Sequence, residues 1–273
     1  MAENPDTHTM PLLEHLVELR NRLIWAILSF LIAFFICFYF AEPIYDFLVR
    51  PLAEIMNEVG GTNRMIYTAL TEAFFTQIQV GFFAAAFISF PIISSQLWMF
   101  IAPGLYKNEK NALLPFLAAS PILFLTGAAF VYYFIMPLAW KFLLQFQTGA
   151  GETILPIELE ARVGEYLGLV MKLIFAFGVS FQLPVLLVLL ARVGIVSSDG
   201  LVDKRKYAIV GVFIFAAIVT PPDVISQIGL AIPMMILYEA SIFACRFVER
   251  KREGAWADDG EESDFEDTDF NEN

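Results

Sequence analysis

Two carboxylates, Glu18 and Glu109, and the arginines beside the first of them are the groups in this chain best suited to hold a charged ligand. Glu18 lies in His15-Leu-Val-Glu-Leu-Arg-Asn-Arg-Leu23, just before the first long apolar run. Glu18 and Arg22 are four residues apart, close enough to pair on a helix surface. Leu12, Leu16, Leu19 and Leu23 recur at steps of four, three and four and share another face. The pattern reads as a short amphipathic helix at the water–lipid boundary, leading into a membrane span. Glu109 ends Trp98-Met-Phe-Ile-Ala-Pro-Gly-Leu-Tyr-Lys-Asn-Glu109, between the second and third apolar stretches. Two acids on one side of a membrane, beside an apolar groove, suit a ligand with two guanidinium groups followed by an apolar segment. Arginine's fork binds carboxylates in a bidentate way that lysine cannot copy. The residues alone leave open a plainer role, in which both acids balance Arg22, Lys107 and Lys110 in solvated turns.

A second set of polar groups sits inside apolar stretches, where ionisable and hydrogen-bonding side chains need a reason to be. Gln182 lies in Phe177-Gly-Val-Ser-Phe-Gln-Leu-Pro184, Lys172 ten residues earlier, and Glu239 in the last stretch. Thr220 and Gln227 flank Thr220-Pro-Pro-Asp223. Gln182 reads either as a functional group or as a hydrogen bond that fixes helix packing. Glu239 is suited to pair with Arg246, and Lys172 to snorkel or to find a backbone carbonyl. Gly164 and Gly168 match the small-residue packing motif. Phosphate loops, dinucleotide fingerprints, zinc-binding HExxH pairs and serine elbows are absent from the sequence. His8 and His15 have no nucleophile or acid constellation around them, and Cys37 and Cys245 imply neither a disulfide framework nor a metal site. Any work must come from binding or from a membrane gradient, in which one charge crossing 100 mV is worth about 2.3 kcal/mol.

The elements that position these groups follow from composition. The chain is 58% hydrophobic, with 28 Phe and only 17% charged residues, which matches a polytopic membrane protein. Nine acids and no base follow Ala257, so the net charge of −12 belongs mostly to the last residues. Residues 247–273 therefore read as an acidic, disordered cytoplasmic tail. Residues 1–11 form a polar segment without the basic region of a cleaved leader. Between them, residues 12–246 form a membrane domain with spans at about 23–41, 74–97, 113–135, 166–191, 206–220 and 226–244. The last two are short and joined by a Pro-Pro turn, a hairpin that stops below the surface and thins the bilayer around it. Lys and Arg divide twelve to four in favour of the side holding both termini, which places the termini in the cytoplasm. Pro91, Pro121, Pro184 and Pro233 bend the spans toward a concave bundle. The expected fold is thus an all-α integral membrane protein with six transmembrane helices and a short last hairpin.

The motifs together resemble a known family. His15-Leu-x-Glu18-Leu-Arg20-x-Arg22-Leu, Phe100-Ile-Ala-Pro103-x-Leu-Tyr-Lys-x-Glu109, Phe177-Gly-x-x-Phe-x-x-Pro184 and Thr220-Pro-Pro-Asp223-x-x-Ser-Gln227 occur in the order of TatC. TatC is the polytopic subunit of the twin-arginine, Sec-independent protein translocase. The resemblance implies a receptor for twin-arginine signal peptides that exports folded precursors using the proton-motive force. Its site residues would be Glu18, Arg20, Phe100, Pro103 and Glu109. It implies further roles for Pro51 and Asp223 on the outer side, and for Gln182, Thr220 and Gln227 in an intramembrane polar cluster. Many relatives carry glutamate where this chain has Gln182, and an amide cannot relay protons. The implied partners are TatA- and TatB-like single-span subunits, signal peptides and membrane lipid, in a multimeric complex of the inner membrane, with no cofactor and no nucleic acid. A gradient-driven transporter of a small solute is the alternative; it leads one to expect inverted repeats and charges at the midplane, and no repeat is visible. An intramembrane enzyme lacks its nucleophile, base or metal.

Overall fold

The computed structural model describes residues 12–59, 64–101, 110–148, 155, 157, 159–220 and 224–266. The chain runs α1 (Leu12–Tyr39), α2 (Ala41–Val59), α3 (Glu72–Ile101), α4 (Lys110–Phe130), a π-helical turn (Val131–Ile135), α5 (Met136–Leu144), α6 (Val163–Ser180), α7 (Leu183–Val193), α8 (Ser198–Asp203), α9 (Arg205–Val219) and α10 (Val224–Glu266). Among the described residues, extended pairing is limited to isolated bridges, Ile66 with Arg162 and Thr148 with Ile157. Five stretches are long and apolar enough to cross a membrane: Glu14–Tyr39, Glu72–Phe100, Leu117–Leu144, Val163–Arg192 and Ser226–Arg250. At 15 residues α9 covers about 22 Å, less than a full bilayer core needs.

Large apolar side chains cover the outside of the bundle, Phe35 at 70% and Phe243 at 77% exposure among them, as suits a molecule whose solvent is lipid. The interior is tightly packed. Phe124 stacks on Phe90 with centroids 3.7 Å apart and meets Phe87 and Phe175. A Cβ on Gly178 would lie 2.6 Å from the Phe124 ring, and one on Gly127 would lie 2.8 Å from the Phe177 carbonyl. These two glycines let α4 and α6 approach closely.

Several expectations change. The leading amphipathic helix and the first span are one continuous α1. Its Leu16, Leu19 and Leu23 point outward, while His15, Glu18 and Arg22 face the protein. Lipid rewards an apolar exterior, so the polar stripe turns inward. The stretch expected as one outer loop contains the 19-residue α2, with Pro51 in its interior. The fourth span is broken at Phe181–Gln182, and Pro184 starts α7 rather than bending a single helix. Gly194, with φ of 82°, closes α7 in the left-handed conformation that glycine adopts without strain. The acidic segment, expected to be disordered, continues α10 as far as Glu266. It extends a helix already nucleated by its packed half, so each added residue needs only propagation. Of the Gly164–Gly168 motif, only Gly164 meets another helix, making room for the Glu72 carboxylate at the start of α3, while Gly168 faces open space.

Pro51 has no amide hydrogen, so the carbonyl of Phe47 loses its helical donor. The Tyr132 hydroxyl, on the π-helical turn, donates to that carbonyl at 2.6 Å, and the rings of Phe47 and Tyr132 stack at 4.4 Å. Tyr166 donates to the neighbouring Leu48 carbonyl at 3.2 Å. Tyr132→Phe is expected to lower the unfolding free energy in detergent by about 1–3 kcal/mol, since it strands a buried acceptor. In a Pro51→Ala background, which restores the amide donor, the same change should cost clearly less. Equal costs in both backgrounds, read from denaturation curves, would refute the link.

Candidate functional site

The α1 face that points inward meets the far half of α3. Arg22 donates through Nε at 2.9 Å and Nη2 at 2.6 Å to Glu18 Oε1, and its Nη1 reaches Gln96 Oε1 at 3.5 Å. Both side chains are about three-quarters shielded, 25% and 21% exposed, which raises the worth of this pair above that of a surface ion pair. One turn earlier His15 stacks on Phe100, with centroids 4.4 Å apart and planes inclined by 15°. Around the ion pair is an open pocket of about 560 Å3, lined by Glu14, Glu18, Arg22, Trp25, Gln96 and Met99 among others. Both Arg22 bonds fall on the same carboxylate oxygen, so Glu18 Oε2 is left for a second donor. The pocket can therefore hold a cation, and an apolar side chain beside it on Trp25 and Met99.

The structure brings together part of the expected set. Glu18 and Phe100 share this corner through His15 and Gln96. Arg20 turns away and bonds Asn21 Oδ1 at 3.4 and 3.2 Å. Pro103, Glu109 and Asp223 lie outside the described residues. The sequence reading missed His15, Gln96, Trp25, Met99 and Glu14. A signal existed for two of them: Gln96 is polar within an uncharged stretch, and His15 precedes Glu18 by three residues, one helical turn.

Gln182 sits at the α6–α7 break and belongs to a separate network. Its amide donates to the Ser120 carbonyl at 2.8 Å and its carbonyl oxygen accepts from the Ser120 hydroxyl. Trp98 Nε1 donates to that same hydroxyl at 2.9 Å. Helices α3 and α4 and the α6–α7 break are thereby joined by side chains with no charge. Thr220 is buried and donates to Ala216 O at 2.9 Å, while Gln227 reaches Phe213 O at 3.4 Å; both bind α9 carbonyls. Lys172 donates to Ile218 O at 2.6 Å, so it takes the backbone-carbonyl option. Glu239 pairs with Arg205 at 2.7 Å, not with Arg246. Two helical turns, about 10.5 Å, separate Glu239 from Arg246 along α10, whereas Arg205 begins the neighbouring α9. On the far end of the bundle, Glu72 accepts the amides of Thr68, Ala69 and Gly164 and faces Arg162 at 3.5 Å. Among the described residues, no group of His, Cys, Asp and Glu could hold a metal ion.

Residues 14–233 match the family model of the Sec-independent protein translocase protein TatC. The chain belongs to the TatC family. A TatC from Magnetococcus marinus is 52% identical over 256 residues, covering 91% of each chain. The Escherichia coli K12 TatC is 42% identical, covering 88% of this chain and 89% of its own. A crystal structure of the twin arginine translocase receptor TatC in DDM superposes with a TM-score of 0.74 at 41% identity, covering 84% of this chain and 98% of that one. This TatC chain is therefore a multi-pass helical membrane protein and a transport component, not an enzyme, and the solute-transporter alternative falls away.

Replacing Gln182 with leucine keeps the volume and removes both bonds to Ser120. Gln182→Leu should lower stability by about 1–3 kcal/mol and redshift Trp98 fluorescence as its partner loses its anchor. An unchanged denaturation midpoint and emission would show that the network does not hold these helices.

Proposed function

We propose that this TatC chain is the core subunit of a twin-arginine translocase and binds the paired arginines of signal peptides of folded precursors. One observation carries the reading: Glu18 already holds a guanidinium, that of Arg22, in an open pocket on α1 and α3. Arg22 occupies the position a peptide arginine would take. Exchanging one guanidinium for another leaves no acid unpaired, which keeps the binding step free of the penalty for a stranded charge. Gln96 is placed to receive Arg22 when it is displaced, and the Phe100–His15 stack offers a flat wall to the apolar part of the peptide. Glu109 and Pro103 complete the site from the α3–α4 connection, and Arg20 holds the helix start at the membrane surface.

In this reading six spans cross the inner membrane, α9 and the start of α10 forming the short last hairpin, and both termini face the cytoplasm, as the twelve-to-four division of basic residues supports. Pro51 and Asp223 then lie on the periplasmic side. TatA- and TatB-like single-span subunits dock near Thr220 and Gln227, with Gln182 holding the adjacent helices by hydrogen bonds rather than by moving protons. The complex is multimeric and draws on the proton-motive force.

Photocrosslinking of a twin-arginine precursor from a probe at Phe100, in membranes carrying the complex, tests this. Glu18→Ala should reduce crosslinking and export by about tenfold or more, as expected for loss of a charge-assisted bidentate contact, while the chain still inserts. Raising ionic strength should weaken binding in the parent. Full crosslinking and export by a well-inserted Glu18→Ala variant would sink the proposal.

A further inference from the structure

A second open pocket shares no residue with the Glu18 pocket. It has a volume of about 440 Å3, a wholly apolar lining save for Tyr132 and Tyr133, and lies between α2, α3, α4 and the π-helical turn. Ile44 and Phe47 of α2 line one end. Phe83 and Phe87 of α3 line the other, with Ala129 of α4 beside them. Phe83 and Phe87 stand 11 and 15 residues from the start of α3, about 16–22 Å along its axis. The cavity thus begins under α2 and ends near the middle of a ~30 Å hydrocarbon core. It is one leaflet deep.

The α2 end carries charge. Asp46, Arg50 and Glu54 recur every four residues and form one row along α2. All three are exposed. Arg50 makes no ion pair or hydrogen bond with another described residue. Arg50 and Glu54 act electrostatically on the hydroxyl of Tyr132, a residue that lines the cavity and whose hydroxyl is bonded to the Phe47 carbonyl of α2. A guanidinium with no partner among the described residues, flanked by two carboxylates four positions away on either side, therefore sits on the helix at the α2 end of a greasy slot.

We propose that this slot holds one acyl chain of a phospholipid from the leaflet on the α2 side. Its phosphate lies on Arg50, and a headgroup ammonium on Asp46 or Glu54. The order acid, base, acid fits a zwitterionic headgroup such as phosphatidylethanolamine better than a purely anionic one, which both flanking acids repel. The inference goes beyond the signal-peptide reading and stands without it, because the two pockets share no residue.

Native mass spectrometry of the full chain tests it, after equilibration in vesicles of equimolar phosphatidylethanolamine and phosphatidylglycerol and release into detergent. Retention of one phosphatidylethanolamine per chain, in preference to phosphatidylglycerol, is expected. Ala129→Phe fills the slot from an exposed backbone position and should lower retention by about tenfold; Arg50→Gln, a surface change that leaves the fold intact, should abolish the headgroup preference. Unchanged retention and preference in Arg50→Gln would overturn the proposal, whatever Ala129→Phe does. So would a photoreactive side chain at Ala129 that labels a polypeptide instead of lipid in native membranes. Precursor crosslinking from Phe100 should be unaffected by either substitution, which keeps a failure here separate from a failure of the signal-peptide site.

Discussion

Inside a bilayer no water is available to rescue an unpaired backbone group, and this constraint shapes most of the polar detail in the molecule. Serine and threonine hydroxyls in the helices return their protons to carbonyls of the preceding turn, as Ser89 does to Ala85, Thr126 to Ile122, Ser180 to Ala176 and Ser241 to Leu237. Where a proline removes an amide, as at position 51, a tyrosine from another element supplies the missing donor. Where α9 ends early, Lys172 reaches the Ile218 carbonyl. These interactions are individually modest; the tyrosine and lysine bonds also fix one element against another.

The same constraint explains why the candidate site is on α1. A helix in lipid gains nothing by hiding leucines, so α1 exposes them and keeps its inward face for His15, Glu18 and Arg22. In water that stripe would be the solvated side. Here it packs on α3 and creates a half-shielded acid, and a half-shielded acid must keep a cation near it. Arg22 meets this need in the resting molecule. On the proposed reading, recognition would be a substitution between like groups and would favour guanidinium over ammonium, because only a planar fork reproduces the contact that Arg22 already makes.

Much of this was legible from residue spacing. The long apolar runs locate all five membrane-length stretches, and the step of four from Glu18 to Arg22 anticipates their pairing. Helix α2 escaped notice although its charges, at 42, 46, 50, 54 and 58, repeat every fourth residue. By polarity alone a stretch with that many charges reads as a loop, and only the four-residue period marks the helix. Long-range pairing was less accessible. Nothing local says that Glu239 prefers Arg205 on another helix, or that Gly164 faces a carboxylate and not a helix. Such choices depend on which elements lie side by side. The Gln182 network needed Ser120 and Trp98, residues 62 and 84 positions away, and hydroxyl and indole groups carry no spacing signature.

The π-helical turn has a consequence of a different kind. Met136 donates to the carbonyl of Val131, five residues back, so the turn holds one residue more than an α-helix would. Everything after it is rotated by about 100° relative to an uninterrupted helix. That rotation sets the face of α5 that carries Trp140 into the core and Lys141 onto Glu58 of α2 at 3.0 Å. In length terms the chain tolerates no single-residue deletion between 131 and 135. Such a loss would make a more regular helix and at the same time swing α5 away from α2, so here the irregularity, rather than the ideal geometry, is what the tertiary structure selects.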